Sequence, residues 1–255
     1  MSDKVLGLDL SDYRKNVPLK TAKQQGVRFV INKATQGTNI VHETNEIYRK
    51  ECKALGLPFG NYMYWKFNRD AKAQALFYLE HMGEVQFPPI VDFERYYNCA
   101  DSSNTKPIVS VQANLNHLKI VLNILEEETG IKPMIYTNYA SWNVLAGNSP
   151  MILEYPLWVA SWRLYGEPYL PKPAVDYKLH QYTANYQIAG YYRGVDANKF
   201  NGNEAAFEQY VAQFTEQPEA PGKQWVVTTE LLKGGDSNIS LLNPGDPVVV
   251  KVSEV

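Results

Sequence analysis

The sequence predicts an α/β fold: an irregular (β/α) TIM-like barrel with eight strands and fewer helices, plus a short C-terminal β-rich extension. Three observations lead there. Eight short apolar runs recur between residues 5 and 196, each bounded by turn residues. Segments of helical period separate most of the early runs, which is the alternation that builds a parallel sheet. A chain of 255 residues is long enough to close such a sheet on itself.

The runs are justified in order. Residues 5–9 form a strand ending in Asp9, and 27–32 a second, followed by a polar loop Lys33-Ala34-Thr35-Gln36-Gly37 of the kind that carries function. A helix over 44–55 places Tyr48, Cys52 and Leu55 on one face, with Gly56 closing it. Residues 58–64 are the third strand, with Tyr62 and Tyr64 on a common face, and Asp70 caps a helix that reaches Met82. The fourth strand, 89–94, is short and apolar until it ends in Asp92 and Glu94. The next helix carries Val111, Leu115, Leu118, Leu122 and Leu125 at three- and four-residue steps and stops at Gly130. Residues 132–137 are the fifth strand, with Asn138 opening a short helix to Leu145. The sixth strand is 156–161, the seventh 176–182 and the eighth 190–196, ending in Gly194-Val195-Asp196. Pro- and Tyr-rich loops replace helices between these last strands, so the barrel is expected to be irregular and partly antiparallel at its end. A final helix from Glu204 presents Phe207, Tyr210, Val211 and Phe214.

The barrel is assigned to residues 1–214, a Pro-rich linker to 215–224, and a β-rich tail to 225–255. About thirty residues are too few for an independent core, so the tail packs on the barrel, oligomerises or begins a longer module. The 25 basic and 27 acidic residues, net charge −2, are spread along the chain and carry no nucleic-acid or membrane-surface footprint. Cys52 and Cys99 fit neither a disulfide framework nor a zinc site, and Cys52 reads as a small buried hydrophobe. No apolar run has signal-peptide or membrane-span length. The expectation is therefore synthesis in the cytoplasm without a signal peptide, no membrane insertion, no nucleic-acid partner, no metal and no cofactor. Oligomeric state is left open.

The chemistry is concentrated at strand ends. Asp92 and Glu94 alternate with Phe93, so both carboxylates point to one side, with Cα atoms about 6.6–7 Å apart. A buried apolar strand has no packing reason to end in two acids, although a solvated strand end is the plain alternative. Like charges this close push at least one pKa up, keeping a carboxylic acid protonated as a proton donor. In a barrel the strand ends meet at one mouth, gathering Asp9, Lys33, Tyr64, Asp92, Glu94, Tyr136, Trp162, Gln181 and Asp196. Four acids converging there favour the functional reading. The 18 Tyr and 5 Trp suit stacking on an amphipathic ligand such as a sugar, and also suit filling the rim of a large core. His180 reads as a structural histidine.

With these segments in place, the chain resembles the family 25 glycoside hydrolases, the lysozymes of phage endolysins and of Chalaropsis-type muramidases. The resemblance rests on Gly7-Leu8-Asp9-Leu10-Ser11, Ile31-Asn32-Lys33-Ala34-Thr35-Gln36-Gly37, Val91-Asp92-Phe93-Glu94, Tyr136-Thr137-Asn138, Pro156-Leu157-Trp158-Val159-Ala160, Gln181-Tyr182-Thr183 and the block from Gly194 to Gly202. It implies cleavage of the β-1,4 bond between N-acetylmuramic acid and N-acetylglucosamine in bacterial peptidoglycan. It also implies Glu94 as general acid, Asp92 as its partner, and Asp9 and Asp196 as flanking carboxylates. Asp92 either steadies an oxocarbenium-like state or orients the substrate acetamido group, and inversion, retention and substrate assistance all stay open. Lys33, Tyr64, Tyr136, Trp162 and Gln181 are the expected substrate-binding residues, Lys33 bracing an acid or a sugar. Two further readings stand beside this one: a non-catalytic glycan-binding barrel of a virion, and a hydrolase of another N-acetylated glycan such as chitin. Release by phage-type lysis or carriage on a virion is the expected route to the wall. The tail faintly resembles a partial SH3-like wall-binding module, through Trp225-Val226-Val227 and Gly245-Asp246-Pro247.

Overall fold

The structure, a computed structural model, describes residues 4–96 and 98–215. The predicted linker beyond Thr215 and the tail 225–255 lie outside the described residues. Eight strands close a barrel: β1 (Leu6–Leu10), β2 (Val27–Gln36), β4 (Phe59–Tyr64), β5 (Ile90–Asp92), β6 (Met134–Asn138), β7 (Leu157–Ala160), β8 (Leu179–Tyr186) and β9 (Val195–Phe200). A two-residue strand, β3 (Ile40–Val41), folds back antiparallel on the end of β2 outside the ring. Pairing is parallel from β1 through β2, β4, β5, β6 and β7 to β8. It turns antiparallel where β9 pairs with both β8 and β1 and shuts the barrel.

Around it lie α1 (Leu19–Gln24), α2 (Glu43–Leu55), α3 (Ala71–Met82), α4 (Val111–Thr129), α5 (Tyr139–Ala146) and α6 (Glu204–Thr215), with a 3₁₀ turn at Pro150–Glu154. The expected caps are in place. Asp70 accepts from the Ala73 amide at 2.8 Å, Asn138 from the Ser141 amide at 2.8 Å, and Gly56 and Gly130 end their helices in the left-handed conformation. The N-terminus of α2 has no side-chain cap of its own. Asp12, from the turn after β1, supplies one by accepting from the Thr44 amide at 3.0 Å and its hydroxyl at 2.8 Å.

Three expectations need correction. The last strand runs from Val195 to Phe200, not over 190–196, because 187–194 is the turn of a hairpin. The seventh expected strand starts at Leu179 rather than 176, since Tyr177 is occupied by loop contacts, its hydroxyl with Glu167 and its carbonyl with Asn201 Nδ2. Lys33 and Gln36 belong to β2 rather than to a loop. The short helix α1, the 3₁₀ turn and β3 are too brief to leave a period in sequence.

Strand alternation sorts the side chains into an inner and an outer set. Leu8, Val30, Met63, Val91, Ile135 and Val159 point out to the helices. Phe29, Ile31, Ile90, Met134, Trp158, Leu179 and Phe200 fill the barrel. Phe207 of α6 plugs its lower end, with ring centroids 5.2 Å from Phe29 and 5.3 Å from Phe200. Gly7 makes room for this plug. A Cβ there would lie 2.2 Å from the Phe29 ring, and one on Gly60 would lie 2.9 Å from Phe87. Gly7→Ala is therefore expected to destabilise the fold by roughly 1–3 kcal/mol or more through overpacking. A fall in the urea midpoint at unchanged m-value is the readout; an unchanged midpoint would contradict this packing.

Candidate active site

The same alternation that packs the lower barrel with rings presents polar groups one layer higher. Asp9, Tyr62, Asp92, Glu94, Tyr136, Trp158, Gln181 and Asp196 line a pocket of about 120 Å³ at the mouth. Asp92 stands level with Tyr64 on one neighbouring strand and Tyr136 on the other. Asp9 faces Asp196 directly across the β1–β9 pair, which sets their Cα atoms about 4.5–5.5 Å apart. Asp196 reaches the mouth because β9 runs antiparallel, so its first residues lie beside the last residues of its neighbours.

A polar network holds Asp9. Gln181 Nε2 donates to both carboxylate oxygens at 3.1 Å, and Asn198 Nδ2 donates to Oδ2 at 2.8 Å. Trp158 Nε1 fixes Asn198 by donating to its Oδ1 at 2.8 Å. Gln181 Oε1 in turn accepts from Tyr136 Oη at 3.2 Å and Trp162 Nε1 at 3.0 Å. Asp92 is different. It is buried, and its Oδ1 has no hydrogen-bond partner among the described residues, an arrangement that costs about 1–3 kcal/mol unless a donor arrives.

Burial raises all four carboxyl pKa values. Asp9 is pushed well above the ordinary range by burial, then by Asp196 and Glu94, against the pull of Asn198 and Gln181. Burial and the charge of Glu94 raise Asp92, with Lys33 opposing. Glu94 is raised by burial, with Lys33 pulling it down and Asp196 pushing it up. Asp196 is raised by burial to about 6, with Arg14 pulling it down. Lys33, 5 % exposed, is lowered to about 8 by burial, while Asp92 and Glu94 help to keep it charged. The four carboxyl groups share one electrostatic site, in which each is harder to ionise than in water.

Of the residues singled out in sequence, Asp9, Asp92, Glu94, Asp196, Tyr136 and Gln181 line the pocket. Lys33 and Tyr64 sit beside it: Lys33 Nζ donates to Gln36 Oε1 at 2.6 Å and lies 4.2 Å from the centre of the Tyr64 ring. The Tyr64 hydroxyl donates to the Tyr96 carbonyl. Trp162 stands at the rim, 69 % exposed, with its indole fixed through Gln181. His180 is buried with Nε2 against the Ser161 carbonyl at 2.7 Å, a structural histidine as expected. Sequence reading missed Tyr62, Trp158 and Asn198 as parts of the site. Each lies two residues from a residue already recognised or in a quoted motif, so strict period-two counting could have found them.

Paired and buried carboxylates among aromatic rings at the mouth of a closed barrel are the equipment of a glycoside hydrolase. The profile of glycosyl hydrolases family 25 matches residues 8–191, and the chain belongs to that family. Lysozyme M1 of Streptomyces globisporus is 26% identical over 211 residues, covering 79% of this chain and 69% of its own. N,O-diacetylmuramidase of Arthroderma benhamiae is 29% identical over 208 residues, covering 78% of this chain and 83% of its own. The structure of a family GH25 lysozyme from Aspergillus fumigatus superposes with a TM-score of 0.72 at 26% identity, covering 82% of this chain and 99% of that one.

The raised carboxyl groups have a consequence for stability. A group whose pKa is higher in the folded state binds more protons there, so its favourable contribution is present at low pH and is lost as pH rises through the folded value. For Asp196 the window runs from its ordinary 3.8 to about 6. Asp196→Asn should therefore gain stability over the native chain across that interval, on the order of 3 kcal/mol above pH 6, with no gain below pH 4. Chemical denaturation at pH 3.5, 5 and 7 checks it; a gain independent of pH would refute the assignment.

Proposed function

We propose that this chain is a lysozyme of the muramidase type, hydrolysing the β-1,4 bond between N-acetylmuramic acid and N-acetylglucosamine in bacterial peptidoglycan. It acts on the bacterial cell wall. The observation that carries the reading is the pocket itself, in which Glu94 and Asp92 share one buried site with Asp9 and Asp196, in a chain whose relatives are lysozymes and N,O-diacetylmuramidases.

Cleaving a glycosidic bond requires a proton on the leaving oxygen while positive charge develops at the sugar carbon. Glu94 is the general acid: burial and the charge of Asp196 favour its protonated form. Asp92 offers the unpartnered Oδ1 to the substrate, where an acetamido N–H would satisfy it and the developing positive charge would face it. Asp9, held by Gln181 and Asn198, and Asp196 supply the surrounding negative potential. Tyr62 and Trp158 line the pocket and give the sugar apolar faces, with Trp162 at the rim as an outer stacking surface.

The test is digestion of purified peptidoglycan, followed by borohydride reduction of the new ends and mass spectrometry. Reduced muramic acid ends are expected from the native chain, and Glu94→Gln should lower their rate of appearance by at least about a hundredfold while the folded variant still pellets with the wall. Reduced glucosamine ends would move the cut to the other linkage. No new ends from a native chain that binds the wall would make the barrel a glycan-binding module.

A further inference from the structure

Two arginines, from the loops that follow β1 and precede β9, converge on one backbone oxygen, the Tyr13 carbonyl. Arg14, in the turn after β1, donates from Nε to the Gly194 carbonyl at 2.8 Å and from Nη1 to the Tyr13 carbonyl at 3.2 Å. Arg193, in the β8–β9 hairpin, donates from Nη1 to that same Tyr13 carbonyl at 3.4 Å. Gly194 is two residues from the pocket-lining Asp196, so Arg14 is anchored on the segment that leads into that acid. Arg14 is near enough to lower the pKa of Asp196.

The pair is under-used. A guanidinium has five N–H donors, and these contacts employ two from Arg14 and one from Arg193. Among the described residues, the carboxylate ion pairs engage neither of them. The acids of neighbouring mouth loops are engaged elsewhere: Asp12 caps α2, and Asp101 accepts from its own loop at Ser103, Thr105 and Lys106. Arg193 is exposed and lies 5.1 Å from the centre of the Tyr192 ring, itself 81 % exposed. Two like charges are thus gathered at an accessible rim, and an anion would relieve their repulsion.

The pocket makes such a feature useful. The pocket carboxyl groups that are ionised repel an anionic substrate, and cations near the mouth offset that field where the substrate enters. Planar guanidinium forks match the two oxygens of a carboxylate. Muramic acid differs from glucosamine by a lactyl ether that bears a carboxyl carbon, either free or extended by a peptide with its own carboxylates. We propose that Arg14 and Arg193 form a carboxylate-binding subsite at the pocket rim, which takes the carboxylate carried on the lactyl side of the muramoyl sugar. This subsite rests on the muramidase reading and adds to it a source of discrimination against neutral glycans.

Binding is measured by isothermal titration of the full chain carrying Glu94→Gln, with and without Arg193→Gln. Three soluble ligands are compared: peptidoglycan oligosaccharides with their stem peptides, the same oligosaccharides stripped to the free lactyl carboxylate, and chitooligosaccharides. Arg193→Gln should weaken binding of a carboxylate-bearing ligand about three- to tenfold and leave chitooligosaccharide binding unchanged. Arg193→Lys should recover part of the loss, and the ligand that shows the loss identifies which carboxylate is held. Equal losses on all three ligands, no loss on either carboxylate-bearing ligand, or no binding of any ligand would each overturn the subsite. The native chain is tested for cleavage on the same peptidoglycan oligosaccharides. A carboxylate-dependent loss of binding without cleavage would overturn the muramidase reading and support the subsite.

Discussion

The antiparallel pairing of β9 with β1 is the constraint on which the mouth depends. Parallel strands bring only their last residues to one end of a barrel, and that rule alone would leave Asp196, at the start of its strand, at the opposite end. Reversing one strand carries both Asp196 and Asn198 into the layer of Asp9 and Gln181. The hydrogen bonds that orient Asp9 therefore come from the two strands that the reversal joins. A wholly parallel barrel with the same side chains would lack this arrangement.

What the arrangement gains in chemistry it gives up in stability. Two buried carboxyl groups, Asp9 and Asp92, and two partly buried ones, Glu94 and Asp196, are gathered in one small pocket, with the buried Lys33 beside them. Asp92 keeps an oxygen without a donor. Such groups persist only because the rest of the barrel over-determines their positions, through the aromatic plug below and the Trp158–Asn198–Asp9 chain of hydrogen bonds at their own level. The candidate site is thus built from groups that destabilise the fold, a trade common at catalytic sites.

The barrel was legible wherever one apolar run coincided with one strand. Phe59 to Tyr64, Met134 to Asn138 and Leu157 to Ala160 are bounded by Pro, Gly or Asn and were located to within a residue or two. The acids were legible because a carboxylate ending a buried strand has no packing explanation. The last strand was displaced because Tyr191, Tyr192 and Val195 resemble an apolar run, while the true strand Val195–Phe200 alternates Asp196 and Asn198 inward with Ala197 and Lys199 between them. An inward polar face is what a strand at an active site needs and what a hydrophobicity count rejects. Trp158 was hidden for the opposite reason, since an indole inside an apolar run reads as core until its Nε1 is seen to hold Asn198. Lys33 reads as a loop residue because a buried lysine within a strand runs against composition; Gln36, the Tyr64 ring and the charges of Asp92 and Glu94 account for it.

The seam between the first and the last strand also governs when the site can exist. Asp9 leaves a ribosome 172 residues ahead of its donor Gln181 and 189 residues ahead of its donor Asn198. The hydrogen bonds made to Asp9 itself span most of the barrel sequence, and such distant pairings form late. A growing chain thus carries its carboxylates unassembled until β9 docks, and the same step that completes the barrel turns a set of scattered acids into a site.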